Sequence, residues 1–156
     1  MYLTKKFYIK NWEHDTPHQR TVLSITREDG TDFNTGPGKP CYLEFEVAYW
    51  RKANAIHGWF VRNVGEGTDD CAPLYVEKDT LKELRDTCAR ALNTRNLDYV
   101  AEKLPPTSGF FFGSCEVDEW YWKDLQWTVD ALSAELETEY EGGWLGQPSY
   151  IYQASW

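Results

Sequence analysis

Leu81, Leu84, Cys88 and Leu92 stand at i, i+3, i+7 and i+11 of the stretch EKDTLKELRDTCARALN, with polar or small residues between them. That period predicts an amphipathic helix with one face buried and the other in water. Such a helix draws its stability from packing its apolar face, so the rest of the chain must supply a second layer. The stretch DEWYWKDLQWTVDALSAELETEY, residues 118–140, predicts a partner helix. Asp118 is its expected N-cap, and its first turn holds acids, which the positive end of the helix dipole favours. A shorter helix is expected in NLDYVAEKL, ended by Pro105 and Pro106. Residues 42–64 contain no proline and repeat apolar residues at helical spacing until GEGTDD. They predict one long helix.

Strands are expected at 2–10, where Leu3, Phe7 and Ile9 share a face, and at 21–29, where Leu23 and Ile25 do. The closing segment, with Tyr150, Tyr152 and Trp156 in alternation, predicts a last strand. Strands at both ends with helices between them imply an α+β fold. The terminal strands would form a small antiparallel sheet packed on about four helices. With 156 residues and no linker or repeat, the chain reads as a single domain over 1–156. Its expected core contains Trp50, Phe60, Leu81, Leu84, Leu125, Val129 and Leu132.

Charge removes several classes of function. A net charge of -9, with no basic run longer than Lys5-Lys6 or Arg51-Lys52, opposes general binding of nucleic acid. The four cysteines are scattered and read as reduced thiols. No leader-like segment or long apolar run suggests export or membrane insertion, so the cytoplasm is the expected compartment. His14, Asp15 and His18 lie close together, but Pro17 keeps the two imidazoles off one helix face, and no metal or cofactor is expected. GPGKP lacks the spacing of a phosphate loop. The acids Glu116, Asp118 and Glu119 fit a helix start as well as an acid/base pair, and nothing local marks Cys115 as a thiol activated by His57. No catalytic residues are assigned.

The binding candidates cluster elsewhere. On a helical wheel Asn54 and His57 fall within the apolar arc of Trp50, Ala53, Phe60, Val61 and Val64. They are either a satisfied core pair or part of a pocket. Arg51, Lys52 and Trp59 lie at the margin of that arc, and Phe110, Phe111 and Phe112 are flanked by Gly109 and Gly113. Cations for phosphate and rings for a base suit a small anionic nucleotide-like ligand. The 118–140 helix also carries a second stripe of Trp120, Trp127, Ala131 and Ala134 opposite its core stripe. That stripe meets either another part of the domain or a second copy in a homo-oligomer.

YWRKANAIHGWFVRNV, DDC, LPPTSGFFFGSCEVDEWYWKDL and the closing YIYQASW together resemble a family of small accessory proteins of tailed bacteriophages and prophages. The resemblance covers about residues 49–122 and the last few. It implies a phage protein in the host bacterial cytoplasm and brings no activity with it. In that setting a short, acidic, aromatic-rich chain is expected to be a non-catalytic binder that sequesters a nucleotide-like host defence signal. The alternatives are an acidic inhibitor docked on a host protein through Trp144 or Trp156, and a small hydrolase of a nucleotide signal. Similar proteins tend to have Ser where this chain has Glu77 at a helix start.

Overall fold

The computed structural model describes residues 1–108, 115–141 and 146–155. The chain opens with strand β1 (Tyr2–Tyr8) and, after a long arm, enters strand β2 (Tyr42–Tyr49). Helix α1 (Asn54–Asn63), strand β3 (Leu74–Val76), helices α2 (Lys78–Thr94), α3 (Leu97–Lys103) and α4 (Glu119–Leu136), and strand β4 (Ser149–Gln153) follow. The sheet order is β2-β1-β4-β3, with every neighbouring pair antiparallel. The two terminal strands are therefore adjacent, with Leu3 opposite Tyr152, in the α+β arrangement expected.

Two expectations are corrected. Residues 42–64 are not one helix: they divide into β2 and α1, with Trp50–Ala53 as the turn between. In LEFEVAY the apolar Leu43, Phe45 and Val47 alternate with acids, and β1 supplies the ladder that makes period two prevail over the helical spacing. Residues 21–29 are not a strand, and only the isolated bridge Thr26–Asp32 forms there. No neighbouring strand completes their backbone hydrogen bonds, and Val22 is 90% exposed. The arm is held by local bonds instead, with the Asn11 amide pairing both backbone groups of Thr21 at 2.7 and 2.8 Å.

One hydrophobic cluster lies between the sheet and the helices. Leu81, Leu84, Cys88 and Ala91 of α2 meet Leu125 and Leu132 of α4 there, all fully buried. Phe60 of α1 stacks on Tyr152 of β4 at a centroid distance of 3.9 Å. Six of the seven expected core residues are buried, and the seventh, Val129, is half-buried against the same cluster. All four cysteines are free thiols, and burial raises the pKa of Cys88. Gly58 lets α1 approach the segment after α3, since a Cβ there would run into the Thr107 hydroxyl.

The helical layer is fixed to the sheet by a buried carboxylate. Glu135 of α4 accepts from Lys5 of β1 at 2.8 Å and from the Tyr150 hydroxyl of β4 at 2.9 Å, and it also accepts from the Tyr140 hydroxyl. Burial opposes the Lys5 charge, but its hydrogen bonds to Glu135 and Tyr140 raise its pKa above 10.5. Burial, and then the bond to Glu135, raises both Tyr140 and Tyr150 above 10.0. The fold thus favours charged lysine and neutral tyrosine. That contribution is complete below the unfolded-state values and is lost as pH rises through the folded-state ones. Urea unfolding should show a steep fall in stability above about pH 10, a fall made shallower by Tyr150→Phe. Glu135→Ala should cost about 3–5 kcal/mol at pH 7, because it strands the partners of a buried charge.

Helix α2 begins at Glu77, whose side chain makes no capping bond. Serine there accepts from the backbone of the first turn, so Glu77→Ser should raise stability by about 0.5–1 kcal/mol in the same measurement.

Candidate functional site

The site is built from the turn that separates β2 from α1. Trp50 is buried, and its indole N–H donates to Thr128 Oγ1 of α4 at 2.9 Å. One residue earlier, the Tyr49 carbonyl accepts from the Trp127 indole at 3.1 Å. Two indole bonds therefore hold the end of β2 against α4, and the next two residues, Arg51 and Lys52, turn outward. Helix α1 then begins after Ala53, which provides no side-chain cap, and its first turn holds no acid. The start of α4 lies opposite. Asp118 accepts from the Tyr121 backbone N–H at 2.9 Å, the cap expected, and the Tyr121 hydroxyl donates to the Leu104 carbonyl at 3.0 Å.

Between these two helix starts lies a cavity of about 550 Å³. Arg51, Lys52 and Asn54 line one side, and Glu116, Asp118 and Asp124 line the other, with Trp120, Tyr121 and Leu125 completing the wall. Its volume suits a drug-sized molecule. Among the described residues no acid pairs with Arg51 or Lys52. Asp124 is half-buried, and burial, reinforced by Asp118, pushes its carboxyl up to about 6.

The expected binding residues divide into three groups. Arg51, Lys52 and Asn54 come together at the cavity, whereas His57 and Trp59 are buried elsewhere. His57 bonds Tyr152 at 2.7 Å and Asp69 at 3.0 Å, so it is the satisfied core histidine of the two readings. A carboxylate only accepts, so Nε2 carries a proton and, in the neutral ring, Nδ1 accepts from the Tyr152 hydroxyl. With both nitrogens engaged and Cys115 exposed, the two do not form a catalytic dyad. Trp59 packs edge-on to Phe60. Phe110, Phe111 and Phe112 lie outside the described residues, as do Trp144 and Trp156.

Of the proposed interface stripe, Trp120 is 71% and Trp127 50% exposed, while Ala131 is half-buried against the core. Trp120 also forms a wall of the cavity, a role its place on a second stripe did not suggest. Asp124 was not singled out because an acid on a helix ordinarily belongs to the solvated face. The usable signal was its position three residues after Tyr121 and beside Leu125, inside the core stripe. Among the described residues no group of three or more His, Cys, Asp or Glu could hold a metal ion, and no helix is long and apolar enough to cross a membrane. No family model, curated protein or solved structure matches the chain.

Because the Asp124 carboxyl titrates at about 6 in the folded chain against 3.8 unfolded, the fold binds an extra proton between those values. Stability therefore falls as pH rises through that window, and the penalty is complete above it. Asp124→Asn removes the penalty. After discounting for solvent screening at a half-exposed group, urea unfolding should show a gain of about 1 kcal/mol at pH 7 and almost none at pH 4.

Proposed function

We propose that the chain binds a nucleotide-like small molecule without turning it over. Its anionic group sits at the start of α1 and its ring lies against Trp120 and the acids of α4. The observation that supports this reading is the pair of cations, Arg51 and Lys52, that line the cavity beside the start of α1 and that, among the described residues, form no ion pair with an acid, while Ala53 gives that start no side-chain cap. A helix start offers backbone N–H groups and positive potential to a phosphate, and Arg adds a bidentate fork.

The facing carboxylates narrow the ligand further. An ionised carboxylate only accepts hydrogen bonds, so it pairs with a ring edge that presents N–H donors, as guanine does with its ring N–H and amine. Stacking on an exposed indole contributes roughly 1–3 kcal/mol per base. The expected site of cations for phosphate and rings for a base thereby gains a second polar end, with the ligand's anion at one end and its donors at the other. In the phage setting implied by the family resemblance, such a protein sequesters a nucleotide defence signal in the bacterial cytoplasm. The exposed Trp120 and Trp127 give that binder a face for self-association.

A second reading, hydrolysis of the same ligand, is favoured by one observation. Asp124, pushed up to about 6, is suited to exchange protons near neutral pH.

Calorimetry and native mass spectrometry against a panel of mono-, di- and cyclic nucleotides, with amino acids as zwitterionic controls, test both readings. At least one nucleotide should bind and be recovered intact. Arg51→Ala and Trp120→Ala should each weaken it about tenfold or more, roughly 1.4 kcal/mol, without lowering the melting temperature of the free protein. Product that accumulates with wild type and disappears in Asp124→Asn establishes the hydrolase instead. Binding of amino acids alone, or of nothing in the panel, rejects the nucleotide site.

A further inference from the structure

Among the described residues the helices pack on one face of the sheet, that of Leu3, Lys5 and Phe7. No helix among the described residues covers the opposite face, on which Thr4 is buried and the residues around it are partly or fully exposed. Register there places Tyr42 beside Tyr8, Glu44 beside Lys6 and Ser149, and Glu46 beside Thr4, Ile151 and Tyr75. Directly opposed residues project to the same side of a sheet. Tyr8, Tyr42 and Tyr75 are 41%, 53% and 75% exposed. They border a cavity of about 430 Å³ together with Lys6, Pro148 and Ile151. Tyr8 meets Tyr42 edge-on at 5.3 Å, and Lys6 lies over the Tyr42 ring at 4.4 Å.

We propose that this groove binds a proline-rich segment of a partner protein, in the polyproline II conformation and flanked by basic residues. Three features select that occupant. Tyrosine offers a flat apolar ring for pyrrolidine packing and a hydroxyl for a carbonyl, and polyproline II leaves every carbonyl without an internal bond. Length is the second. Tyr8 and Tyr75 stand two strands apart and four residues out of register, roughly 16 Å on sheet spacings, which about five residues of polyproline II span at their 3.1 Å rise. Charge is the third: Lys6 is the one charged residue among those lining the groove, and the exposed Glu44 and Glu46 stand next to that lining on the same face, opposite Lys6 and Thr4, where in a chain of net charge -9 they attract basic flanks.

The same charges disfavour other occupants. A nucleic acid would meet one lysine and two acids, and a second copy would bring one more acidic face, from a chain of net charge -9, against Glu44 and Glu46. The groove shares no residue with the cavity between α1 and α4, so it stands independently of the nucleotide reading.

The test is an NMR titration of the labelled protein with a synthetic peptide of two Pro-x-x-Pro repeats flanked by arginines. The controls are the same peptide with glutamates in place of arginines, and oligouridine. Shifts should concentrate on β1, β2, β3 and β4 around the tyrosines, with the arginine peptide bound at least about fivefold more tightly than its glutamate form. Tyr42→Ala and Tyr75→Ala should each weaken binding about tenfold, and Tyr75→Phe, which keeps the ring, about threefold. Glu44→Lys combined with Glu46→Lys should reverse the preference between the two peptides, and Arg51→Ala should leave binding unchanged. Saturating peptide without shifts on the sheet, equal binding of both peptides, or preferential binding of oligouridine there overturns the proposal.

Discussion

Trp50 is the residue through which the parts of this fold are joined. Its backbone N–H donates to the Met1 carbonyl at 2.8 Å, its carbonyl accepts from the terminal amine at 3.1 Å, and its indole N–H reaches Thr128 of α4. Its ring lies tilted against Phe60 of α1 and Tyr152 of β4, at 6.2 and 6.4 Å. One residue thus fixes the first residue of the chain and the end of β2 through its backbone, and the entry to α1 and the middle of α4 through its side chain. Because Trp50 is anchored so fully, the two residues after it are displayed rather than packed. The cationic side of the cavity is a geometric consequence of the core.

The buried polar groups divide the same work. Glu135 ties α4 to β1 and β4, and His57 ties α1 to β4 through Tyr152. Every such group in the described core has a partner, which low-dielectric burial demands. Asp124 differs in facing a cavity, where burial and Asp118 hold its carboxyl near neutrality instead of a partner stabilising its charge. A carboxyl kept above its ordinary range at a cavity wall is a group for which a bound donor would do what the fold does not.

How much was legible in sequence follows from how local each signal is. Helices α2 and α4 were readable because their apolar stripes persist over several turns, and Asp118 because capping is a matter of its own neighbourhood. The inward direction of Asn54 and His57 was readable even though their helix was drawn too long, since their spacing from Phe60 is unaffected by where the helix begins. Strand β2 was missed because LEFEVAY satisfies both periods, and the choice belonged to β1, distant in sequence. Residues 21–29 failed for the converse reason, having alternation without a partner. Arg51 and Lys52 are legible by chemical type, Asn54 and His57 by their place inside the apolar arc, and Trp59 by its place at the margin of that arc. Asn54, His57 and Trp59 are all buried, and only packing decides that Asn54 lines the cavity while the other two do not.

The cavity at the helix starts and the groove on the open sheet lie on opposite layers, and both place aromatic rings beside charge. At the α1 and α4 starts, Trp120 shares a cavity with Arg51, Lys52 and three acids, and the ligand proposed for it carries both an anion and donors. On the open sheet, tyrosines stand beside Glu44 and Glu46 with a single lysine, so an anionic ligand is turned away and a basic chain is attracted. An acidic protein that binds an anion must confine positive potential to a small concave place, because the summed field elsewhere repels the ligand. In the proposed binder Arg51, Lys52 and the start of α1 are the residues that would provide that confinement, and the acids of the open sheet face are those that would meet a basic partner.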